Sequence, residues 1–336
     1  MNWIRINVLL AVLVALMGTG CGGSEDTKDD SGGGAAEGSR SLSLVAYSTP
    51  EVVYDEIIPA FKKTEEGGDV GFKTSFGASG EQSRAVEGGL RADVVSFSIE
   101  PDVERLVEAG LVDKAWRDAT PTEGQVSKSI VSFIVRKGNP KNIKSWDDLV
   151  KPGVEVVTPN PFTSGAAKWN LLGAYAHGGL DYVEKLIKDN VSVQPKSGRE
   201  ALQTFTGGEG DVLLSYEYEA TTAIKKGEKE IELVRPADST VEIEINIAHT
   251  KDAGPDAQAF IDYVIGPEGQ EEFVGWGYRP VDPVVAERNE AKFPNPPKVT
   301  TIGDLGGWSK VNDELFDPEK GSIAKIEEDA GVSTAQ

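Results

Sequence analysis

The chain has 336 residues and a formal net charge of −21 at pH 7, with one cysteine and two histidines. This acidic balance argues against nucleic-acid binding, which requires a basic surface. A single thiol excludes an internal disulfide framework, and two histidines argue against a Ser–His–Asp triad or a histidine-rich metal site. We therefore expect no metal, no cofactor and no nucleic-acid partner.

The first twenty residues have the pattern of an export signal. Their apolar run, Val8–Met17, is too short to span a membrane as a mature helix. The lone Cys21 follows small residues, as in a bacterial lipoprotein signal, although Gly18 stands where such signals usually carry leucine. We predict that residues 1–20 are a lipoprotein signal peptide and that lipidated Cys21 anchors an extracytoplasmic protein to the membrane. The alternative is an ordinary secretory peptide with an incidental cysteine.

Residues 21–40 are rich in Gly, Ser, Asp and Glu and nearly free of apolar side chains. Such a segment buries too little surface to offset its ordering entropy. We predict a disordered tether over residues 21–40 and a globular part over residues 41–336. That length suits one large or two medium domains.

The first part of the globular region alternates strands with helices. Strands are predicted at Leu42–Ala46, Val70–Ser75 and Ala92–Phe97, and helices at Val52–Lys63, Gln82–Gly89 and Pro101–Ala109. This alternation is typical of a parallel α/β sheet. A further strand at Ser129–Val135 continues without a break into Arg136-Lys137-Gly138, a plausible crossover between domains.

A second α/β unit follows. Its first helix is preceded by the capping-box spacing of Ser145 and Asp148. The predicted strands are Val154–Thr158, Val191–Gln194, Asp211–Ser215, Ile231–Arg235 and Val241–Ile247. The predicted helices are Trp169–Tyr175, Tyr182–Asp189, a short helix ending at Phe205, Ala257–Ile265 and Gln270–Gly275, with a tail of loop and helix from Phe293.

Small or hydroxyl-bearing residues recur where predicted strands end, at Ser48, Ser79, Ser164, Gly198 and Tyr216. Ligands of open α/β sheets bind outside the carboxyl ends of the strands. Three of these positions open helices, whose first N–H groups are unpaired and carry partial positive charge. The pattern therefore suits one cleft in which an anion is held by backbone N–H groups, and the alternative for residues 160–170 taken by themselves is an ordinary capped turn between a strand and a helix.

The sequence resembles the sulfate-binding proteins of ABC sulfate/thiosulfate importers over nearly the whole mature chain, from Leu42 to about Lys325. The resemblance rests on several motifs in order: Gly77-Ala78-Ser79-Gly80-Glu81-Gln82-Ser83, Arg136-Lys137-Gly138-Asn139-Pro140-Lys141, Trp146-Asp147-Asp148-Leu149-Val150-Lys151-Pro152-Gly153, Thr158-Pro159-Asn160-Pro161, Ser164-Gly165, Trp169-Asn170, Asp211-Val212-Leu213-Leu214, Ser215-Tyr216-Glu217 and Gly306-Gly307-Trp308.

The resemblance implies an α/β, two-lobed periplasmic-binding-protein type II fold, each lobe being a mixed sheet flanked by helices. Lobe 1 would comprise residues 41–132 and 246–336, and lobe 2 residues 133–245. The implied function is non-enzymatic: the lobes close on sulfate and deliver it to membrane ABC permease subunits. The implied protein is a monomer.

The resemblance also implies roles for single residues. Ser79, Gly165, Ala166 and Gly198 would offer backbone N–H groups, Ser164 its hydroxyl, and Arg199 would support the loop. This chain departs from the family at four positions. Tyr216 replaces a tryptophan whose indole donates, Ala166 replaces glycine, Lys168 replaces arginine, and Ser48, a possible ligand, stands where an acidic residue is frequent.

Sulfate carries no proton at neutral pH, so its site needs donors and no acceptor. A buried carboxylate left beside it would cost at least ~1–3 kcal/mol. We therefore expect no Asp or Glu inside the cleft, with Glu81 pointing away and Glu217 a surface or supporting group. Because no expected contact titrates there, affinity should be flat from about pH 5 to 8.

Three other functions remain open at this point. The same cleft would suit another oxyanion, such as thiosulfate, molybdate or tungstate. A two-lobed α/β fold also suits an enzyme, although histidines are scarce. A surface adhesin would expose a broad apolar patch.

Overall fold

The computed structural model describes residues 27–29 and 40–334, and within them eleven strands join into one hydrogen-bonded network. The strands are β1 (Thr27–Asp29), β2 (Ser41–Tyr47), β3 (Gly71–Gly77), β4 (Val94–Phe97), β5 (Gln125–Arg136), β6 (Val156–Val157), β7 (Val191–Val193), β8 (Val212–Tyr216), β9 (Ile231–Val234), β10 (Ser239–His249) and β11 (Lys298–Thr300).

Twelve α-helices accompany these strands within the described ranges. They are α1 (Glu51–Phe61), α2 (Ser79–Glu87), α3 (Glu100–Glu108), α4 (Trp146–Leu149), α5 (Gly165–Lys185), α6 (Gly198–Thr206), α7 (Glu217–Lys225), α8 (Pro255–Ile265), α9 (Pro267–Gly275), α10 (Pro283–Asn289), α11 (Trp308–Val311) and α12 (Ser322–Asp329). None of the helices between residues 40 and 334 is both long enough and apolar enough to cross a membrane.

The sheet has two halves with similar internal order. In the first, β2 lies between β3 and β4 and is parallel to both, and β10 runs antiparallel to β4. In the second, β6 lies between β7 and β8 and is parallel to both, while β8 and β9 each pair with β5 in antiparallel orientation. Parallel strands with helical crossovers bring their carboxyl ends to one edge in each half.

Two long strands connect the halves. The early part of β5 pairs with β10, whereas its later part, from Val131 onward, pairs with β8 and β9. The end of β10 turns to β4, after a register shift between Ile245 and Asn246. The predicted lobe boundaries, after residues 132 and 245, fall inside these two strands and stay a prediction.

The alternation of apolar and polar residues predicted for Val241–Ile247 agrees with how deeply the side chains of β10 are buried. Val241, Ile243, Ile245 and Ile247 are buried, and Glu242 and Glu244 between them are half-buried. Because successive side chains of a strand point to opposite faces, this pattern places the isoleucines in the main core.

The predicted capping box is confirmed at α4. The Asp148 carboxylate accepts from the backbone N–H of Ser145 at 3.0 Å, and both arms of the box are formed. Trp146 is the first residue of this helix and is fully buried in the core, where the Nε1 of its indole donates to the Ser239 carbonyl at 2.8 Å.

Some elements differ from the sequence prediction. The two helices expected around Gly178 and Gly179 form one element, α5, with a kink at Gly179 (φ 68°), so only one of the two glycines leaves the helical conformation. Helix α10 was not predicted. Strand β1 pairs with β3 inside the segment that was expected to be a disordered tether. At Thr27–Asp29 the structure therefore has a strand where the sequence predicted disorder. The signal peptide and Cys21 lie outside the described residues.

Candidate anion-binding site

Three helices begin at residues that the sequence singled out: α2 at Ser79, α5 at Gly165 and α6 at Gly198. The first N–H groups of a helix have no partner within the helix and carry together about half a positive charge. At α6 the Ser197 side chain takes the N–H of Glu200 at 3.2 Å, which leaves the N–H groups of Gly198 and Arg199 at the helix start.

These helix starts face one another. A Cβ added at Gly80 would lie 3.3 Å from the carbonyl oxygen of Thr163, which joins the start of α2 to the start of α5. A Cβ added at Gly198 would lie 3.7 Å from the Cβ of Ala166, which joins α6 to α5. The start of α5 therefore lies close to the starts of both α2 and α6.

The Ser79 hydroxyl already has two hydrogen-bond partners within the protein. It donates to the Asp102 carboxylate at 2.6 Å and accepts from the backbone N–H of Ser98 at 3.1 Å. What Ser79 can offer a ligand is therefore its backbone N–H. The Ser164 side chain, in contrast, is buried but does not cap its own helix.

Tyr216 ends β8 and precedes α7 with a fully buried ring. Its hydroxyl has no hydrogen-bond partner among the described residues. Burial raises the pKa of Tyr216 well above its ordinary value, so the phenol keeps its proton and can donate. An unpartnered buried hydroxyl is unfavourable, so the Tyr216 hydroxyl is a candidate donor to a ligand.

Arg199 connects α6 to the loop after β2. Its guanidinium donates to the Ser48 carbonyl and forms an ion pair with Glu51 at 2.5 Å. Ser48 itself is buried. The arginine thus holds the Ser48 loop against the start of α6, and its role in supporting a ligand site stays a prediction.

Glu217 is turned toward two arginines. Its carboxylate accepts from Arg279 Nε at 2.7 Å and from Arg235 Nε, and its side chain is 1% exposed. The expectation of a surface residue is therefore wrong for Glu217, whereas a supporting role agrees with this burial. Glu81 is half-buried in the first turn of α2, and its orientation stays a prediction.

Two acidic residues lie near the helix starts, whereas the expectation that no Asp or Glu lies inside the cleft stays a prediction. A Cβ added at Gly198 would lie only 3.4 Å from Glu219 Oε1, and Asp102 holds the Ser79 hydroxyl. Burial raises the pKa of Glu219 to about 8, against the opposing effects of the Arg199 charge and the Tyr216 N–H. Glu219 is thus a neutral acid at pH 7 that receives a hydrogen bond from the Ser215 hydroxyl. Burial also raises the pKa of Asp102.

Sequence reasoning missed Ser98, Asp102 and Glu219. Ser98 directly follows β4, so the rule that selected Ser48 and Ser79 would also have found it. Asp102 and Glu219 lie within the first turns of α3 and α7, where an acidic residue ordinarily marks only the helix start. No local signal distinguishes these two buried acids from solvated ones.

Known proteins resemble this chain over most of its length. The family model for bacterial extracellular solute-binding proteins matches residues 42–279. The sulfate-binding protein of Synechococcus elongatus is 37% identical over 94% of this chain and 94% of its own length. That of Escherichia coli K12 is 37% identical over 81% and 88%.

Solved structures agree with this similarity. The sulfate-binding protein SubI of Mycobacterium tuberculosis H37Rv is 46% identical, with a TM-score of 0.79 over 83% of this chain and all of SubI. The architecture is the two-lobed fold of type II periplasmic binding proteins, as predicted. The chain belongs to the bacterial extracellular solute-binding protein family.

Proposed function

We propose that this protein is an extracytoplasmic, lipid-anchored sulfate-binding protein that encloses sulfate between its two lobes and delivers it to an ABC permease. The observation that carries the proposal is the closeness of the starts of α2 and α6 to the start of α5, together with the unpartnered hydroxyl of Tyr216 at the end of β8. The sulfate-binding proteins among its relatives support the same ligand. Residues 41–132 and 246–336 form lobe 1, and residues 133–245 form lobe 2.

The donor set suits a dianion without a proton. Backbone N–H groups of Ser79, Gly165, Ala166 and Gly198 donate and do not accept, and the hydroxyls of Ser164 and Tyr216 complete the shell. Hydrogen bonds to a charged acceptor are about twice as strong as neutral ones. At neutral pH the protonated Glu219 adds no negative charge.

Titration calorimetry tests the proposed ligand. Sulfate is expected to bind more tightly than thiosulfate, molybdate or tungstate, whose larger atoms need more room. A clear preference for one of the other three anions, or no binding of sulfate, would contradict the proposal. The protein acts as a monomer and binds one anion per chain, and the stoichiometry of the same titration tests the second of these points.

Ser164→Ala is expected to weaken sulfate binding by about 1.5–3 kcal/mol, the contribution of one hydrogen bond to a charged group. The Ser322→Ala variant is a matched control. Ser322 also opens a helix, but its hydroxyl already donates to the Glu314 carbonyl at 2.9 Å. Unchanged affinity in Ser164→Ala would remove this hydroxyl from the site.

The pH dependence of sulfate affinity is expected to show one loss, above about pH 8. Below that pH Glu219 is protonated, and affinity stays flat; above it the new carboxylate charge beside Gly198 repels the dianion. One linked proton gives at most a tenfold loss for each pH unit, or about tenfold between pH 7 and 9.

The Glu219→Gln variant tests whether Glu219 is the group that causes the loss of sulfate affinity above about pH 8. It keeps the shape of the side chain and an acceptor for Ser215, but it cannot ionise, so its affinity should stay flat to pH 9. If the loss above pH 8 persists in this variant, another group is responsible.

Anchoring rests on Cys21, the sole cysteine, which follows the predicted signal peptide. Lipidation there would keep the captured anion close to the permease. Mass spectrometry of the mature N-terminal peptide tests the anchor, and an unmodified Cys21 would contradict it.

A further inference from the structure

Ser98 places a second buried hydroxyl beside the start of α5. Its side chain is 1% exposed, and a Cβ added at Gly165 would lie 2.2 Å from its Oγ. The Ser98 hydroxyl therefore lies over the glycine whose N–H opens the longest helix at the site. Any residue larger than glycine at position 165 would collide with it.

The backbone of Ser98 is fixed on both sides. Its N–H donates to the Ser79 hydroxyl at 3.1 Å, and its carbonyl accepts from Trp169 Nε1 at 2.7 Å. Ser79 opens α2 and Trp169 belongs to α5, so Ser98 is tied to two of the three helices that surround the site. A hydroxyl on such a fixed backbone is preorganised for a ligand.

The Ser98 hydroxyl has no hydrogen-bond partner among the described residues, and neither has the Tyr216 hydroxyl. The two are neighbours: Ser98 is one of the groups that act against the burial-driven rise of the Tyr216 pKa. Their geometry does not make a hydrogen bond. Two unpartnered hydroxyls, one from each predicted lobe, thus lie close together near the start of α5.

We infer that Ser98 is an anion-binding residue that donates its hydroxyl hydrogen to the bound oxyanion beside Tyr216, and that it favours sulfate over thiosulfate. This inference rests on the proposed function. The terminal sulfur of thiosulfate is larger than oxygen and accepts hydrogen bonds weakly. A hydroxyl packed against Gly165 therefore favours an oxygen at that corner of the tetrahedron.

Calorimetry of Ser98→Ala with sulfate and thiosulfate tests the inference. Sulfate affinity is expected to fall roughly 10- to 100-fold, as for a lost hydrogen bond to a charged acceptor. Thiosulfate affinity should fall by a smaller factor, so that the preference for sulfate narrows. Unchanged sulfate affinity, or equal losses for the two anions, would overturn the assignment.

Ser96→Ala is the matched control. Ser96 is also fully buried, also carries a hydroxyl without a partner among the described residues, and lies two residues earlier, next to Tyr54. The Ser96→Ala variant should bind sulfate with the affinity of the unmodified chain. If its sulfate affinity falls as much as that of Ser98→Ala, both substitutions act through packing and the assignment of Ser98 is overturned. The unmodified protein separates the two claims: if it binds no sulfate, the proposed function fails, whereas normal binding with an unaffected Ser98→Ala overturns only this inference.

Discussion

Ala166→Asp is expected to abolish sulfate binding, with a loss of at least about 1000-fold, or ~4 kcal/mol. Ala166 is the second residue of α5, is 5% exposed, and lies 3.7 Å from the position of a Cβ added at Gly198. A carboxylate there would lie beside the dianion. At a separation of about 5 Å and an effective dielectric constant of about 20, the repulsion between one negative charge and the dianion is ~7 kcal/mol.

The matched control is Ala166→Asn, which has the same shape and no charge. An acidic residue in the first turn favours a helix, so Ala166→Asp should not weaken α5 itself. Calorimetry should therefore show the large loss for aspartate and a much smaller one for asparagine. If the two variants bind sulfate equally well, the anion does not lie at the start of α5.

The turns that open the three helices were predictable from local sequence, although the helices predicted from Gln82 and Trp169 begin three and four residues earlier in the structure, at Ser79 and Gly165. A strand followed by small residues and a helical pattern specifies Ser79, Gly165 and Gly198 without reference to the rest of the chain. The closeness of these helix starts follows from the rule for carboxyl ends of parallel strands. Both steps use periodicity and turn chemistry, which a single sequence contains.

The acids around the site were not predictable in this way. Glu217 and Glu219 both lie in the first turn of α7, where a carboxylate usually remains solvated. The arginines that neutralise Glu217 are 18 and 62 residues further along the chain, so its burial is a property of the tertiary structure. Glu219 reaches Gly198 only because α7 packs beside α6, and no pattern within either helix encodes that.

Glu217 connects parts of the chain that are distant in sequence. Its carboxylate holds Arg235, just beyond β9, and Arg279, whose backbone N–H donates to the Lys128 carbonyl of β5 at 2.9 Å. The Glu217 side chain is 1% exposed and that of Arg279 is 11% exposed. Glu217 also directly follows Tyr216, so this ion-pair cluster lies next to the site.

Glu217→Ala is expected to lower the free energy of unfolding by about 3–4 kcal/mol, because removing one member of a buried ion pair leaves its partners uncompensated. The value lies at the lower end of the usual range because Arg235 is 33% exposed and Arg279 keeps a hydrogen bond to the Pro294 carbonyl at 3.1 Å. The shift in the urea midpoint at constant slope measures this change.

The exposed pair of Glu184 and Lys188 provides the control, and Glu184→Ala should lower the free energy of unfolding by at most about 0.5 kcal/mol. Equal small shifts in both variants would mean that water reaches Glu217 and that the cluster does not stabilise the strand connection beside Tyr216.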